Sequence, residues 1–152
     1  MSTSQTQSLA YEVGAPAELP KFPLNQWYVS GFAWELKDKP VGRTLLGKPI
    51  VLFRTMDGKP AALEDRCCHR ALPLSHGTLE EQGVRCGYHG LLFNGEGQCV
   101  EVLGQAKIPS KAKVPAYHVR ERDQIIWIWF GNADNQEPTC EPPAYDIHSN
   151  GE

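Results

Sequence analysis

The chain has 152 residues, with 15 Lys and Arg against 18 Asp and Glu for a formal charge of −3, a size that fits one domain with a core of its own. This balance gives no support to a nucleic acid or an anionic membrane held by bulk electrostatics, and the longest wholly apolar run, Ile125 to Phe130, is six residues, far short of the about 20 that a membrane-spanning helix needs. The amino terminus, Met-Ser-Thr-Ser-Gln-Thr-Gln-Ser, lacks the basic start and apolar stretch of a secretory signal, so a soluble, cytoplasmic protein is expected.

Residues 1–22 are polar with scattered Pro and show no periodicity, which predicts a flexible leader. Strand formers begin at Trp27-Tyr28-Val29-Ser30-Gly31-Phe32. Ile50 to Phe53 and Ala61 to Leu63 flank the turn signal Met56-Asp57-Gly58-Lys59 and predict a hairpin. A second hairpin is predicted from Leu91-Leu92-Phe93 through Asn94-Gly95-Glu96-Gly97 to Gln98-Cys99-Val100, because Asn and Gly supply the positive φ of tight turns. A third joins Tyr117-His118-Val119 to Ile125–Phe130 through Arg120-Glu121-Arg122-Asp123. The last strand is apolar at odd and even positions alike, so both of its faces are expected to be covered and its tryptophans to be core. After Gly131, residues 132–152 read as a Pro-rich tail or linker. Fourteen Gly and 12 Pro argue against long helices, and three hairpins predict an all-β domain over residues 23–131.

The five cysteines, Cys67, Cys68, Cys86, Cys99 and Cys140, are an odd count in a chain large enough to have a core, which speaks for ligands over a disulfide framework. Two stretches concentrate the chemistry: Asp65-Arg66-Cys67-Cys68-His69-Arg70 and Arg85-Cys86-Gly87-Tyr88-His89-Gly90. Thiolate and imidazole suit zinc or an iron–sulfur centre better than magnesium or calcium. A zinc finger usually pairs like with like in each short loop. Here each loop has one Cys and one His, which suits a two-iron cluster in which each loop gives its Cys to one iron and its His to the other. Cys99, Cys140, His76, His118 and His148 have no such partner nearby and read as ordinary side chains. Arg66, Arg70 and Arg85 either guide an acidic electron donor or are simply solvated.

The mixed pairs resemble the Rieske 2Fe-2S motif, with Cys67, His69, Cys86 and His89 on its four ligand positions and Cys68 on an intervening one. The likeness continues through residues 69–77, Cys86-Gly87-Tyr88-His89-Gly90-Leu91 and Phe93-Asn94-Gly95-Glu96-Gly97. It is similar to the amino-terminal domain of Rieske non-haem iron oxygenases, above all the demethylase and phthalate-dioxygenase-like group, over about Asn25 to Gly131. The resemblance implies small stacked antiparallel sheets with two cluster-binding loops at one end. It also implies an electron-donating reductase or ferredoxin as one partner and an oxygenase catalytic domain or other acceptor as the second. High-potential Rieske proteins have an extra disulfide and Ser and Tyr hydroxyls where this chain has Leu72, Tyr88, Leu91 and Phe93, which implies a low potential. The family's oxygen chemistry takes place at a second iron held by two His and a carboxylate, usually including His-x-x-x-x-His. No two histidines here are five apart. The expectation is therefore the electron-entry portion of an oxygenase component whose catalytic domain is absent from this chain. A self-standing Rieske ferredoxin, a redox sensor and a zinc-stapled interaction domain are the alternatives.

Overall fold

The computed structural model describes residues 22–132, 134 and 136–145. The predicted leader therefore lies, apart from Phe22, outside the described residues, as does His148. The elements in chain order are β1 (Gln26–Phe32), β2 (Val41–Leu45), β3 (Lys48–Arg54), β4 (Pro60–Glu64), β5 (Thr78–Glu80), β6 (Gly83–Arg85), β7 (Leu91–Phe93), β8 (Cys99–Val102), β9 (Ala116–Tyr117), β10 (Val119–Arg122) and β11 (Ile125–Phe130). Two short 3₁₀ turns, Ala33–Glu35 and Leu74–His76, complete the set among the described residues. Every strand pair is antiparallel, in three sheets ordered β1-β11-β10, β2-β3-β4-β9 and β5-β6-β7-β8. The expected all-β class is the observed one.

Alternation along β3 and β4 explains how the sheets stack. Val51, Phe53, Ala61 and Leu63 join a core with Val84, Leu91, Phe93, Cys99 and Val102, whereas Ile50, Leu52 and Ala62 join a second core with Ile126, Ile128 and Phe130. Side chains of successive strand residues point to opposite faces, so the β2-β3-β4-β9 sheet is the middle layer and is apolar on both sides. β11 is likewise covered twice. Its even residues face the second core, and Ile125, Trp127 and Trp129 cluster with Trp27 on the outer face. The segment after Gly131 lies over that outer face: the Trp27 indole donates to the Cys140 carbonyl at 2.7 Å, Trp127 stacks on Tyr145, and Pro142 is fully buried.

The first two predicted hairpins are present as β3–β4 and β7–β8. In the second, Asn94 Oδ1 accepts the amides of Glu96 (3.1 Å) and Gln98 (2.9 Å) and so closes the turn through its own side chain. The third is displaced from its expected position. Tyr117 belongs to β9 and pairs with β4, whereas Val119–Arg122 is the strand that pairs with β11. The turn is Asp123-Gln124, both at positive φ (52° and 62°), as a two-residue hairpin requires. The charged run mistaken for a turn is an edge strand, where Arg and Glu are well suited to solvent; its Glu121 pairs with Arg54 at 2.7 Å. Two further hairpins, β2–β3 and β5–β6, escaped the sequence pattern because their strands are short or only partly buried.

Candidate metal centre

Two loops emerge side by side, one between β4 and β5, the other between β6 and β7. Their backbones repeat one design. In the first, the Cys67 amide donates to Leu72 O (2.9 Å) and the Ala71 amide to Cys67 O (2.9 Å); in the second, the Cys86 amide donates to Leu91 O (2.8 Å) and the Gly90 amide to Cys86 O (3.2 Å). The residue four past each Cys is left-handed, Ala71 at φ 56° and Gly90 at φ 73°. Each turn therefore ties off its own amides and carbonyls and leaves the Cys and His side chains free.

Those side chains sort by type. Cys67 and Cys86 are buried, 4% and 3% exposed, as free thiols in the core beneath the loops. His69 and His89 lie at the surface with their Nδ1 atoms 2.9 Å apart and ring planes at 69°, and the exposed Tyr88 ring packs against His89 at 3.9 Å. Cys68 is exposed. Cys99 is buried but directs its thiol at the Glu101 carbonyl (3.3 Å), Cys140 is exposed in the terminal segment, and His118 faces Glu137 at 3.3 Å. The four residues singled out in the sequence are thus brought together as two thiols inside and two imidazoles outside.

Electrostatics act in opposite directions on the two kinds of donor. Burial, then the neighbouring Cys86, pushes the Cys67 thiol up to about 11, so a bound cation is what would stabilise its thiolate at neutral pH. Desolvation, then the charges of His69 and Arg70, lowers the pKa of His89, which keeps its imidazole neutral and its lone pair available. The raised Cys67 value fixes the sign of a pH effect on the metal-free protein. A group whose folded pKa is raised contributes stability that is complete below the unfolded value, 9.0, and is lost as pH climbs toward about 11. Urea denaturation of metal-free protein should show a loss of about 2 kcal/mol across this window, and Cys67→Ala should flatten that part of the profile.

Side chains beyond the four hold the loops. The buried Asp65 carboxylate accepts the Ser75 amide (2.7 Å) and hydroxyl (2.6 Å), which closes the base of the first loop. Arg85 closes the second: Nη1 donates to Gly90 O at 2.7 Å, while Nε and Nη2 grip Glu80 and Nη2 also reaches Glu101. Arg85 is therefore an internal brace, whereas Arg66 and Arg70, grouped with it in the sequence reading, are exposed. No spacing rule marked Asp65, Ser75 or Arg85; the usable signal for Asp65 and Arg85 was their place at the strand ends that launch the loops, and Ser75, in the 3₁₀ turn Leu74–His76, carried none. Ala71 carries the strain of a non-Gly left-handed residue, which costs roughly 1 kcal/mol. Ala71→Gly should therefore raise stability by about that amount in chemical denaturation. Gly90→Ala should lower it, because its Cβ would lie 2.4 Å from Leu103 Cδ1 at a positive φ.

The donor set fits a two-metal group. Among the described residues no three His, Cys, Asp or Glu side chains are grouped so as to hold one ion, whereas two thiols behind two imidazoles would offer a pair of donors to each of two irons. Residues 26–118 match the Rieske [2Fe-2S] domain family. The chain belongs to that family. Its cofactor is a Rieske-type [2Fe-2S] cluster. This Rieske domain is 46% identical over 120 residues to an iron–sulfur subunit of the toluene-4-sulfonate monooxygenase system of Comamonas testosteroni, covering 77% of this chain and 34% of the relative. It is 45% identical over 132 residues to the oxygenase component of dicamba O-demethylase of Stenotrophomonas maltophilia, covering 82% and 39%. A crystal structure of dicamba monooxygenase superposes with a TM-score of 0.75 at 42% identity, over 83% of this chain and 40% of that one. The Rieske chain thus spans between a third and two-fifths of the length of these relatives, and aligns with their N-terminal portion. No helix among its described residues is long and apolar enough to cross a membrane.

Proposed function

We propose that Cys67 and Cys86 hold the inner iron of the cluster and His69 and His89 the outer one, and that the chain passes single electrons from a reductase or ferredoxin to the catalytic domain of an oxygenase component. The buried thiol pair behind an exposed imidazole pair carries this reading. Bound there, the cluster supplies a one-electron couple. The chain's own residues decide where that couple meets its partners. Cys67 and Cys86 sink one side into the apolar core, while the facing Nδ1 atoms of His69 and His89 leave each Nε2 on the far side of an exposed ring, the shortest way from the site to a docked protein.

Apolar residues of β7 beside the second loop keep the potential low. Hydrogen bonds to cluster sulfur stabilise the more negative, reduced state and so raise the potential. Leu91 and Phe93, buried where high-potential relatives carry hydroxyls, have nothing to donate. The midpoint is expected toward the bottom of the Rieske range of about −150 to +300 mV, flat near neutral pH and falling at alkaline pH as the oxidised form loses an imidazole proton. Spectroelectrochemical titration with iron and sulfide analysis tests the reading. One electron, two irons and two acid-labile sulfides per chain are expected; stoichiometric zinc without sulfide, or a redox-silent protein, would end it.

A further inference from the structure

The two ligand loops share a backbone design but not their bracing. Each is closed by the pair of bonds around its Cys, and in each the residue four past the Cys is left-handed. At that residue the likeness ends. In the second loop the Gly90 carbonyl accepts Arg85 Nη1 at 2.7 Å, and Gly90 lies so close to Leu103 that a Cβ would stand 2.4 Å from its Cδ1. In the first loop the equivalent carbonyl, that of Ala71, accepts no hydrogen bond among the described residues, and Asp65 and Ser75 meet outside the segment from Cys67 to Leu72. The rings differ in the same sense. His89 packs against Tyr88 as well as His69, whereas the ring contact of His69 among the described residues is with His89 alone. Arg85 is itself held still. Nε donates to Glu80 Oε1 at 2.5 Å and Nη2 to Oε2 at 2.8 Å, and Nη2 also meets Glu101. These residues come from β6, β5 and β8, so three strands of one sheet converge on one carbonyl. Among the ion-paired arginines of the described residues Arg85 has the least exposed side chain, 15% against 24% for Arg54. A planar guanidinium fixed by two bonds to one carboxylate has its remaining N–H directions fixed too.

We propose that Arg85 is a positioning residue for the cluster: it prearranges the Cys86–His89 half of the site before iron arrives, and the Cys67–His69 half closes onto it. Gly90 directly follows His89, so a Gly90 peptide free to turn would carry the imidazole with it. The role is one of direction more than of charge, because the cation is matched by two carboxylates and what reaches the loop is a single aimed N–H. Groups that orient a ligand in this way govern how firmly the metal is held. The proposal rests on His89 being a ligand of the outer iron.

The test compares Arg85→Met and Arg85→Lys with the wild type in the cluster-loaded full chain and again after the metal is removed. Both variants should lose the cluster to a chelator about tenfold faster or more, and the electron paramagnetic resonance of the reduced cluster should shift its g values as the histidine environment changes. Lys should not rescue, because an ammonium keeps the charge but cannot grip Glu80 in two places and reach Gly90 as well. In metal-free wild-type chain, amide hydrogen exchange should be slower over residues 86–91 than over residues 67–72. Either substitution should bring the second segment to the level of the first and leave the first unchanged. If Arg85→Met does not fold, Glu80→Gln, which leaves Arg85 in place and loosens its grip, should move the same segment and the same loss rate in smaller measure. Equal exchange of the two loops in the metal-free wild type would overturn the proposal. So would an Arg85→Lys chain indistinguishable from the wild type, which would make the role one of charge, or faster exchange spread evenly over the whole chain, which would make it one of general stability. A wild-type chain that takes up no iron would strike instead at the ligand assignment, and at this role with it.

Discussion

Cys67→Ala, Cys86→Ala, His69→Ala and His89→Ala should each purify without the red-brown absorption of a [2Fe-2S] cluster, whereas Cys68→Ala should keep it together with two irons and two sulfides per chain. The difference follows from direction as well as from type. Cys67 and Cys86 enter the same core, His69 and His89 meet at the surface above it, and Cys68, between two of them, is exposed. Loss of the cluster should also loosen this end, because the two loops are held to one another partly by what they bind and cluster-binding energy is partly folding energy. Proteolysis within residues 67–90 should therefore be faster in Cys67→Ala than in Cys68→Ala. A colourless Cys68→Ala with a coloured Cys67→Ala would exchange the two roles, and equal proteolysis in the two variants would mean that the loops stand without the cluster.

How much of this was legible in the sequence depended on whether a feature was local. The Cys and His stretches were, because a ligand loop must place its donors within a few residues of each other. The β7–β8 turn was legible for a similar reason, since Asn94 closes it with its own side chain. The doubly covered β11 was announced by six consecutive apolar residues. The β10 strand was not, because Arg120, Glu121 and Arg122 alternate on an exposed edge that has no apolar face to reveal the period of two. The bracing role of Arg85 was hidden between guidance of a donor and simple solvation, because its partners, Glu80 and Glu101, reach it only once β6 lies beside β5 and β7 near β8. The middle layer was also hidden. Val51 and Phe53 serve one core while Ile50 and Leu52 serve another, and a short apolar run does not say that there are two.

Gly77→Ala should be severely damaging although it adds a single methyl. Gly77 has an extended backbone, φ −85° and ψ −158°, so its value does not lie in conformational freedom. It lies in proximity: a Cβ there would stand 1.9 Å from Arg85 O, 3.0 Å from Arg85 C and 3.1 Å from Leu74 O. All three are backbone atoms, and no rotamer change can move them. Gly77 follows the 3₁₀ turn that ends the first loop, and Arg85 immediately precedes Cys86, so the clash falls on the contact that sets one loop beside the other. Relief requires β5 to move off β6, breaking the Thr78–Arg85 pairing and carrying the first loop away from the second. A cost above about 4 kcal/mol is expected, in the class of changes that force backbone displacement, with loss of the cluster. Gly87 is the informative control because it lies inside the second loop, between Cys86 and His89, where motif reasoning alone would forbid change. Its added Cβ meets nothing closer than His76 O at 3.6 Å, an ordinary contact. Gly87→Ala should therefore keep the cluster and fall within about 0.5 kcal/mol of the wild type. Denaturation midpoints and visible absorbance per chain for the two variants decide the matter. A stable, coloured Gly77→Ala would show that the first loop is not seated against β6 as described, and a colourless Gly87→Ala would show that the second loop has less room than this geometry gives it.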